Sequence, residues 1–375
     1  MKATEMIMKF NVFVPTRIIS GVGCVKDNAD KLVLGKKAYI VTGKSGAKKS
    51  GALDDVTDIL AKAAVDFKIF DGCCENPLLN DCFAAGADAR EFGADFIIGI
   101  GGGSALDSAK AIAFFAANPE LSAMDVYSAD VKKNDPLPLA AITTTSGTGS
   151  EANGISVMTL PDGISKKSFG GEKSWPRVSF LDPAYTASLG YKYTVSCALD
   201  AFSHAMESYL SPKSTDFSRV LAVFAAKSIW NIVKNGKKEF DLADREALQN
   251  ASCAAGIAIS ITGTGFPHPL GYAITMLDGI PHGAACAVFY GAYIKYNMRS
   301  EAGRELVESF CREIGASPDE LSHIIPELSG VDLAFDEAEI EKRVSLIKGA
   351  KNYQNSPYVI DDAEKIAIYR ELFLK

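Results

Sequence analysis

At 375 residues and roughly 150 residues per domain, the chain is expected to hold two domains and has ample length for a buried core. Its 47% apolar and 23% charged residues exclude disorder and fibrous structure. A net charge of -7 repels a phosphate backbone, which argues against nucleic-acid binding.

In chain order, the opening MKATEMIMKFNVFVP interrupts its apolar residues with Lys2, Glu5 and Lys9. It lacks the continuous apolar core of an export signal. No run of ~18 apolar residues suggests a membrane span. The 8 cysteines include no CxxC pair, and Cys24, Cys82, Cys197, Cys253, Cys286 and Cys311 stand in apolar surroundings, so they read as core thiols of a reduced, cytoplasmic protein. Strands are predicted at 38–42 (AYIVT), 67–70, 96–100 (FIIGI), 139–143 and 178–181. Continuous apolar runs separated by helical stretches are what a parallel sheet covered on both faces requires.

The strand FIIGI runs into Gly101, Gly102, Gly103 and Ser104 and then into helical spacing, with Ser104 the expected N-cap. Glycines at a strand-to-helix turn let backbone N–H groups approach a phosphate, and the helix dipole favours its charge. The segment departs from both GxGxxG and the Walker pattern. A second polar segment, TTTSGTGSE from Thr143 to Glu151, follows the next strand, where doubly wound sheets bind ligands.

Beyond Asp182 and Pro183 the strand signal fades, and 195–210, 218–233 and 245–261 carry helical periodicity. This predicts residues 1–185 as an α/β domain and 186–375 as all-helical, with a last amphipathic helix within 361–375. Asp200 and His204, four apart, share a helix face. His268 and His282 lie in proline- and glycine-bounded segments. Three of the 4 histidines thus stand in ligand-like contexts, and imidazoles with one carboxylate suit Fe²⁺ or Zn²⁺. His323 reads as a structural or surface histidine.

The segments GIGGGSALDSAK, TTTSGTGSE, ALDAFSHAMESY and GFPHPLGY followed by GIPHG, in this order and spacing, resemble the iron-containing (group III) alcohol dehydrogenase family over nearly the whole chain. The resemblance implies a dehydroquinate-synthase-like superfold: an N-terminal dinucleotide-binding α/β domain with helices on both faces of a parallel sheet, and an all-α metal-binding domain. It implies a metal held by Asp200, His204, His268 and His282, Fe²⁺ first and Zn²⁺ as the alternative. It places a dinucleotide on Gly101, Gly102, Gly103 and Ser104, near Thr144, Thr145 and Thr148, with Asn76 and Lys167 lining the cleft. Some members carry a histidine four residues after the third ligand; here that position is Tyr272, which becomes the candidate proton relay.

The activity so implied is hydride transfer between a short- or medium-chain alcohol or aldehyde and a nicotinamide, with the metal acting on the substrate oxygen. In this family the residue after the first strand decides the cofactor, and Gly43, Lys44 and Ser45 offer room and positive charge for a 2'-phosphate. NADP(H) is therefore expected over NAD(H), although Asp71 ends the next strand. A homodimer without nucleic-acid or membrane partners is expected. A dehydroquinate-synthase-like lyase would need basic residues around a polyanion, whereas the neighbourhood here is apolar (Phe202, Met206, Phe266, Leu270). A nucleotide sensor without catalysis is the other alternative.

Overall fold

The strand β2 (Lys37–Gly43) shows how the first half is built. Ala38 and Ile40 enter one apolar layer with Val56 and Leu60, while Tyr39 and Val41 enter another with Leu79, Ala89 and Ile112. Successive side chains of a strand face opposite sides, so an unbroken apolar run feeds both layers. The structure, a computed structural model, describes residues 10–128, 130, 131 and 133–375. Lys2, Glu5 and Lys9 of the leader reading lie outside them.

The other strands are β1 (Arg17–Ser20), β3 (Asp66–Cys73), β4 (Phe96–Gly101), β5 (Leu139–Thr143), β6 (Ile155–Thr159), β7 (Lys166–Gly170) and β8 (Val178–Leu181). Six form one parallel sheet in the order β1-β8-β5-β4-β2-β3, and β6 pairs antiparallel with β7. The helix α1 (Ala52–Lys62) covers one face; α2 (Leu79–Phe92) and α3 (Gly103–Ala117) cover the other. The five predicted strands are present. Neither β1 nor the β6–β7 hairpin was predicted, because none of these strands is a continuous apolar run. β3 departs from the buried pattern: it is the sheet's edge, and Phe67 and Ile69 are exposed.

The second half is helical. It comprises α4 (Tyr191–Leu210), α5 (Asp216–Val233), α6 (Leu242–Thr262), α7 (Pro267–Asp278), α8 (His282–Ala287), α9 (Tyr290–Asn297), α10 (Glu301–Ile314), α11 (Pro318–Ser329), α12 (Glu337–Ile347) and α13 (Asp362–Phe373). Thr215 caps α5 and Asp241 caps α6, each accepting from a backbone N–H three residues on; such a cap stabilises a helix by about 1 kcal/mol. Pro267 starts α7, where its missing N–H costs no hydrogen bond. α4 lies at the centre, buried from Val195 to Leu210 apart from Cys197. Phe202 and Phe266, both 0% exposed, anchor the surrounding core at about 1.5–3 kcal/mol each. Among the described residues, no helix is long and apolar enough to cross a membrane.

Candidate metal centre and nucleotide cleft

Asp200, His204 and Glu207 project from one face of α4, at spacings of four and three residues. Asp200 Oδ1 lies 3.7 Å from His204 Nε2, 3.7 Å from His268 Nε2 and 3.9 Å from His282 Nε2. His268 comes from the first turn of α7 and His282 from the start of α8. α8 reaches α4 because residue 283 is glycine: a Cβ there would stand 2.8 Å from the Asp200 Cβ. The four predicted ligands therefore converge on one point.

Asp200 Oδ1 and His268 Nε2 are buried and have no hydrogen-bond partner. Orphaned polar atoms of this kind are costly unless something binds them. A tetrahedral ion with ligand bonds of about 2.0–2.2 Å separates its ligand atoms by roughly 3.4 Å, close to the spacings here. Burial lowers His204 to about 4 and His282 to about 3, so both remain neutral and able to ligate. Burial pushes Asp200 up, but in the acidic range where it titrates the protonated imidazoles and Lys166 outweigh that effect and hold the carboxyl below its ordinary range. The donor set and its unpaired atoms fit a divalent metal.

Glu207 is the residue that sequence reasoning missed. Its carboxylate lies 2.8 and 2.9 Å from His268 Nδ1 and accepts from the Gly265 N–H at 2.6 Å. Burial pulls His268 down, and the charge and hydrogen bond of Glu207 raise it overall. An Nδ1–H donated to Glu207 leaves Nε2 free to face Asp200, as in carboxylate–histidine–metal arrangements. The signal was present as the third member of the Asp200, His204, Glu207 face.

The glycine turn lies between β4 and α3. The N-cap is Gly102, with no side-chain cap bond, and Ser104 sits inside the first turn. Ser104 is therefore not the cap, because the helix begins two residues earlier than its hydroxyl would require. The N–H groups at this end remain available to an anion. Gly101 has φ 152, and Cβ atoms at Gly102 and Gly103 would meet the side chains of Thr145 at 2.9 Å and Thr148 at 2.5 Å. The two polar segments thus close on each other, and Thr144 N–H donates to the Gly101 carbonyl at 3.0 Å.

Beneath them, buried Lys110 donates to Ser150 Oγ at 2.7 Å and the Ile155 carbonyl at 2.6 Å, while Asp107 accepts from Ser150 and from Val157 N–H. Both belong to the quoted GIGGGSALDSAK segment and brace the threonine loop. That loop also abuts the metal helix, with a Cβ at Gly147 3.0 Å from Cys197 Cα. A cradle open at backbone N–H groups and beside the metal donors fits a dinucleotide.

Lys167 does not line this cleft. Its Nζ lies 4.4 Å over the Tyr127 ring and the residue is exposed. Side chains alternate along β7, so the cleft receives its neighbour Lys166, which donates to Asn76 Oδ1 at 2.6 Å and stands 5.3 Å over the Tyr272 ring. Burial lowers Lys166 to about 8. Asn76 takes a left-handed φ of 56 and receives the Thr159 hydroxyl on its carbonyl. Tyr272 stacks on His282 with centroids 5.7 Å apart, and burial raises its phenol above the ordinary value. Gly43 ends β2 beside Cys73, and Lys44 and Ser45 are exposed. Asp71 lies across a register shift on β3, also exposed. His323 is exposed, its Nδ1 2.7 Å from the Asp319 carbonyl.

The family pattern "Iron-containing alcohol dehydrogenase" matches residues 15–183, and that of the Fe-containing alcohol dehydrogenase C-terminal part matches residues 194–325. The chain belongs to the iron-containing alcohol dehydrogenase family. It is 33% identical over 292 residues to a sulfoacetaldehyde reductase of Bilophila wadsworthia, covering 75% of this chain and 74% of that protein. It is 31% identical to an NADPH-dependent butanol dehydrogenase of Clostridium saccharobutylicum (80% and 76% covered). An NAD-dependent methanol dehydrogenase of Bacillus methanolicus shares 29% (78% and 77% covered). The crystal structure of an iron-containing alcohol dehydrogenase from Thermotoga maritima superposes with TM-score 0.89 at 35% identity, covering 97% of this chain and 99% of that one. The fold is the dehydroquinate-synthase-like one of these enzymes. Family membership makes this chain an oxidoreductase of alcohols and aldehydes that uses a nicotinamide cofactor and a metal.

Proposed function

We propose that the chain interconverts short- or medium-chain alcohols and aldehydes with NADP(H), using one divalent metal held by Asp200, His204, His268 and His282. The observation that carries this reading is the convergence of three imidazole nitrogens within 3.9 Å of the unpartnered Asp200 Oδ1, beside the glycine cradle. Fe²⁺ is the first choice and Zn²⁺ the alternative, since these donors accept either. Such an ion supplies Lewis acidity that favours the alkoxide over the alcohol, or polarises an aldehyde carbonyl.

The chain's own groups do the remainder. Glu207 fixes the His268 tautomer, and Phe266 and Leu270 keep the surroundings of α7 apolar. The N–H groups of Gly102, Gly103 and Ser104 bind the pyrophosphate, while Thr144, Thr145 and Thr148 flank it. Lys166 and Asn76 line the cleft in the place foreseen for Lys167. Tyr272, held protonated by burial, donates a hydrogen bond at the substrate oxygen and orients the His282 ring.

NADP(H) preference is supported by the absence of an acid at Gly43, Lys44 and Ser45, where a lysine–phosphate contact contributes roughly 1.5–3 kcal/mol. Division at residues 185 and 186 is supported by the last sheet strand ending at Leu181 and α4 starting at Tyr191. Eight unpaired cysteines support a reducing, cytoplasmic setting. A homodimer is supported by the exposed stripe Phe217, Val220 and Phe224 on α5, with Phe10 stacked on Phe217.

The test is a panel of alcohols and aldehydes assayed with both cofactors on metal-loaded protein. Turnover of short-chain substrates with higher kcat/KM for NADPH than NADH is expected. Equal or better use of NADH overturns the cofactor preference, and no turnover of any alcohol overturns the catalytic reading.

A further inference from the structure

The cleft holds a primary amine as well as the metal donors. Lys166 lies on β7 opposite Thr159 of β6, and the Thr159 hydroxyl and backbone N–H donate to the carbonyls of Asn76 and Pro77. Thus tied, Asn76 presents its Oδ1 at 2.6 Å from the Lys166 Nζ. The Nζ also stands 5.3 Å over the Tyr272 ring, and that ring stacks on His282. Lys166 therefore shares a neighbour with a metal donor.

Its partners set this amine apart from the other lysines. Lys68, Lys295 and Lys365 pair with the carboxylates of Asp88, Glu371 and Asp362, and the sealed Lys110 has Asp107 at 3.6 Å. Lys166 has an amide oxygen and an aromatic face instead, and among the described residues no carboxylate forms an ion pair with it. Burial without an ion pair disfavours the charged form of a lysine. It lowers Lys166 to about 8, outweighing Cys286, Asp200 and Asp107, which raise it. At about pH 7.5 such an amine is roughly one-quarter neutral, against about 0.1% for an ordinary lysine near 10.4. The neutral amine is the nucleophile toward a carbonyl. Lys166 is partly exposed, which leaves it open to small molecules in the cleft, whereas Lys110 is enclosed.

We propose that Lys166 captures aldehydes covalently as a reversible imine, and that this adduct shuts the cleft when aldehyde accumulates. The inference rests on the reading that aldehydes enter this cleft and adds a regulatory reaction to it. The neutral Nζ attacks the carbonyl carbon and forms a C–N bond, while a proton moves from nitrogen to the carbonyl oxygen. Loss of water from this carbinolamine leaves a C=N bond. No electron is transferred, and hydrolysis restores lysine and aldehyde. The adduct removes the ammonium from Asn76 and puts an alkyl group beside Tyr272.

The test incubates metal-loaded, full-length protein with propionaldehyde and sodium cyanoborohydride at about pH 7.5, where the reagent reduces an imine to a stable propyl-lysine. Peptide mapping by mass spectrometry then ranks the lysines. Lys166 is expected to be propylated at least about 10-fold faster than Lys167 and Lys48, both exposed. Alcohol oxidation, assayed after the reagents are removed, is expected to fall in step with that labelling. Lys166→Arg is expected to keep whatever activity it has through the same treatment, and the mapping on wild type decides even if this variant does not fold. Propylation of Lys166 no faster than that of Lys167 overturns the proposal, as does full activity in protein propylated at Lys166. Untreated protein from the same batch is assayed for propionaldehyde reduction. Turnover with Lys166 unlabelled overturns the capture and leaves the aldehyde reading standing, whereas neither turnover nor labelling overturns both.

Discussion

The two halves of the cleft bind by different means. On the helical side, charged and imidazole side chains from α4, α7 and α8 converge on one point, and removing any one takes a donor from the set. On the sheet side, the cradle is backbone: N–H groups at the start of α3, kept open by glycines and closed over by threonines. The difference teaches that substitutions on the helical side should act through metal content, whereas those on the sheet side should act through cofactor affinity with the metal untouched.

The sharpest break on the helical side is His268→Ala. It removes one of three imidazoles, and metal occupancy and turnover should fall together by more than 100-fold, beyond the roughly 10–100-fold typical of outer-shell changes. Metal analysis and kinetics on the same sample check this. Glu207→Ala tests the support behind that ligand: with the His268 tautomer released, metal affinity should drop about 10–100-fold, measured by competition with a chelator. Unchanged affinity would remove Glu207 from the account.

On the sheet side, Gly43→Asp should lower kcat/KM for NADPH about 10–100-fold while sparing NADH, with metal content unchanged. A Cβ there would stand 3.3 Å from the Cys73 carbonyl, so thermal stability should be measured alongside to separate strain from repulsion. The smallest effect is expected at Tyr272, where the two sides meet. Tyr272→Phe should slow alcohol oxidation about 5–10-fold, the worth of one hydrogen bond, and leave metal content intact. If the charge on Lys166 aids turnover, wild type and Tyr272→Phe should both lose rate as pH rises through about 8, because that charge belongs to Lys166. Lys166→Arg, which stays charged, should abolish that loss.

The two sides also differed in how openly the sequence displayed them. The metal ligands were readable because histidine is scarce and each stands in a distinctive turn. Glu207 was not, since a glutamate on a helix ordinarily reads as solvated, and only the burial of α4 shows that it faces inward. The glycine turn and threonine segment were readable from their place after apolar strands. Lys166 was assigned to its neighbour Lys167 because the hairpin went unrecognised, and a one-residue error on a strand moves a side chain to the other face.

The central claim is that catalysis runs through one metal at the Asp200 cluster. The measurement is to strip the metal with a chelator and titrate Fe²⁺ or Zn²⁺ back while following alcohol-dependent reduction of NADP⁺. The account predicts that activity vanishes on removal and returns linearly to a plateau at one ion per chain; undiminished activity in verified metal-free protein would contradict it.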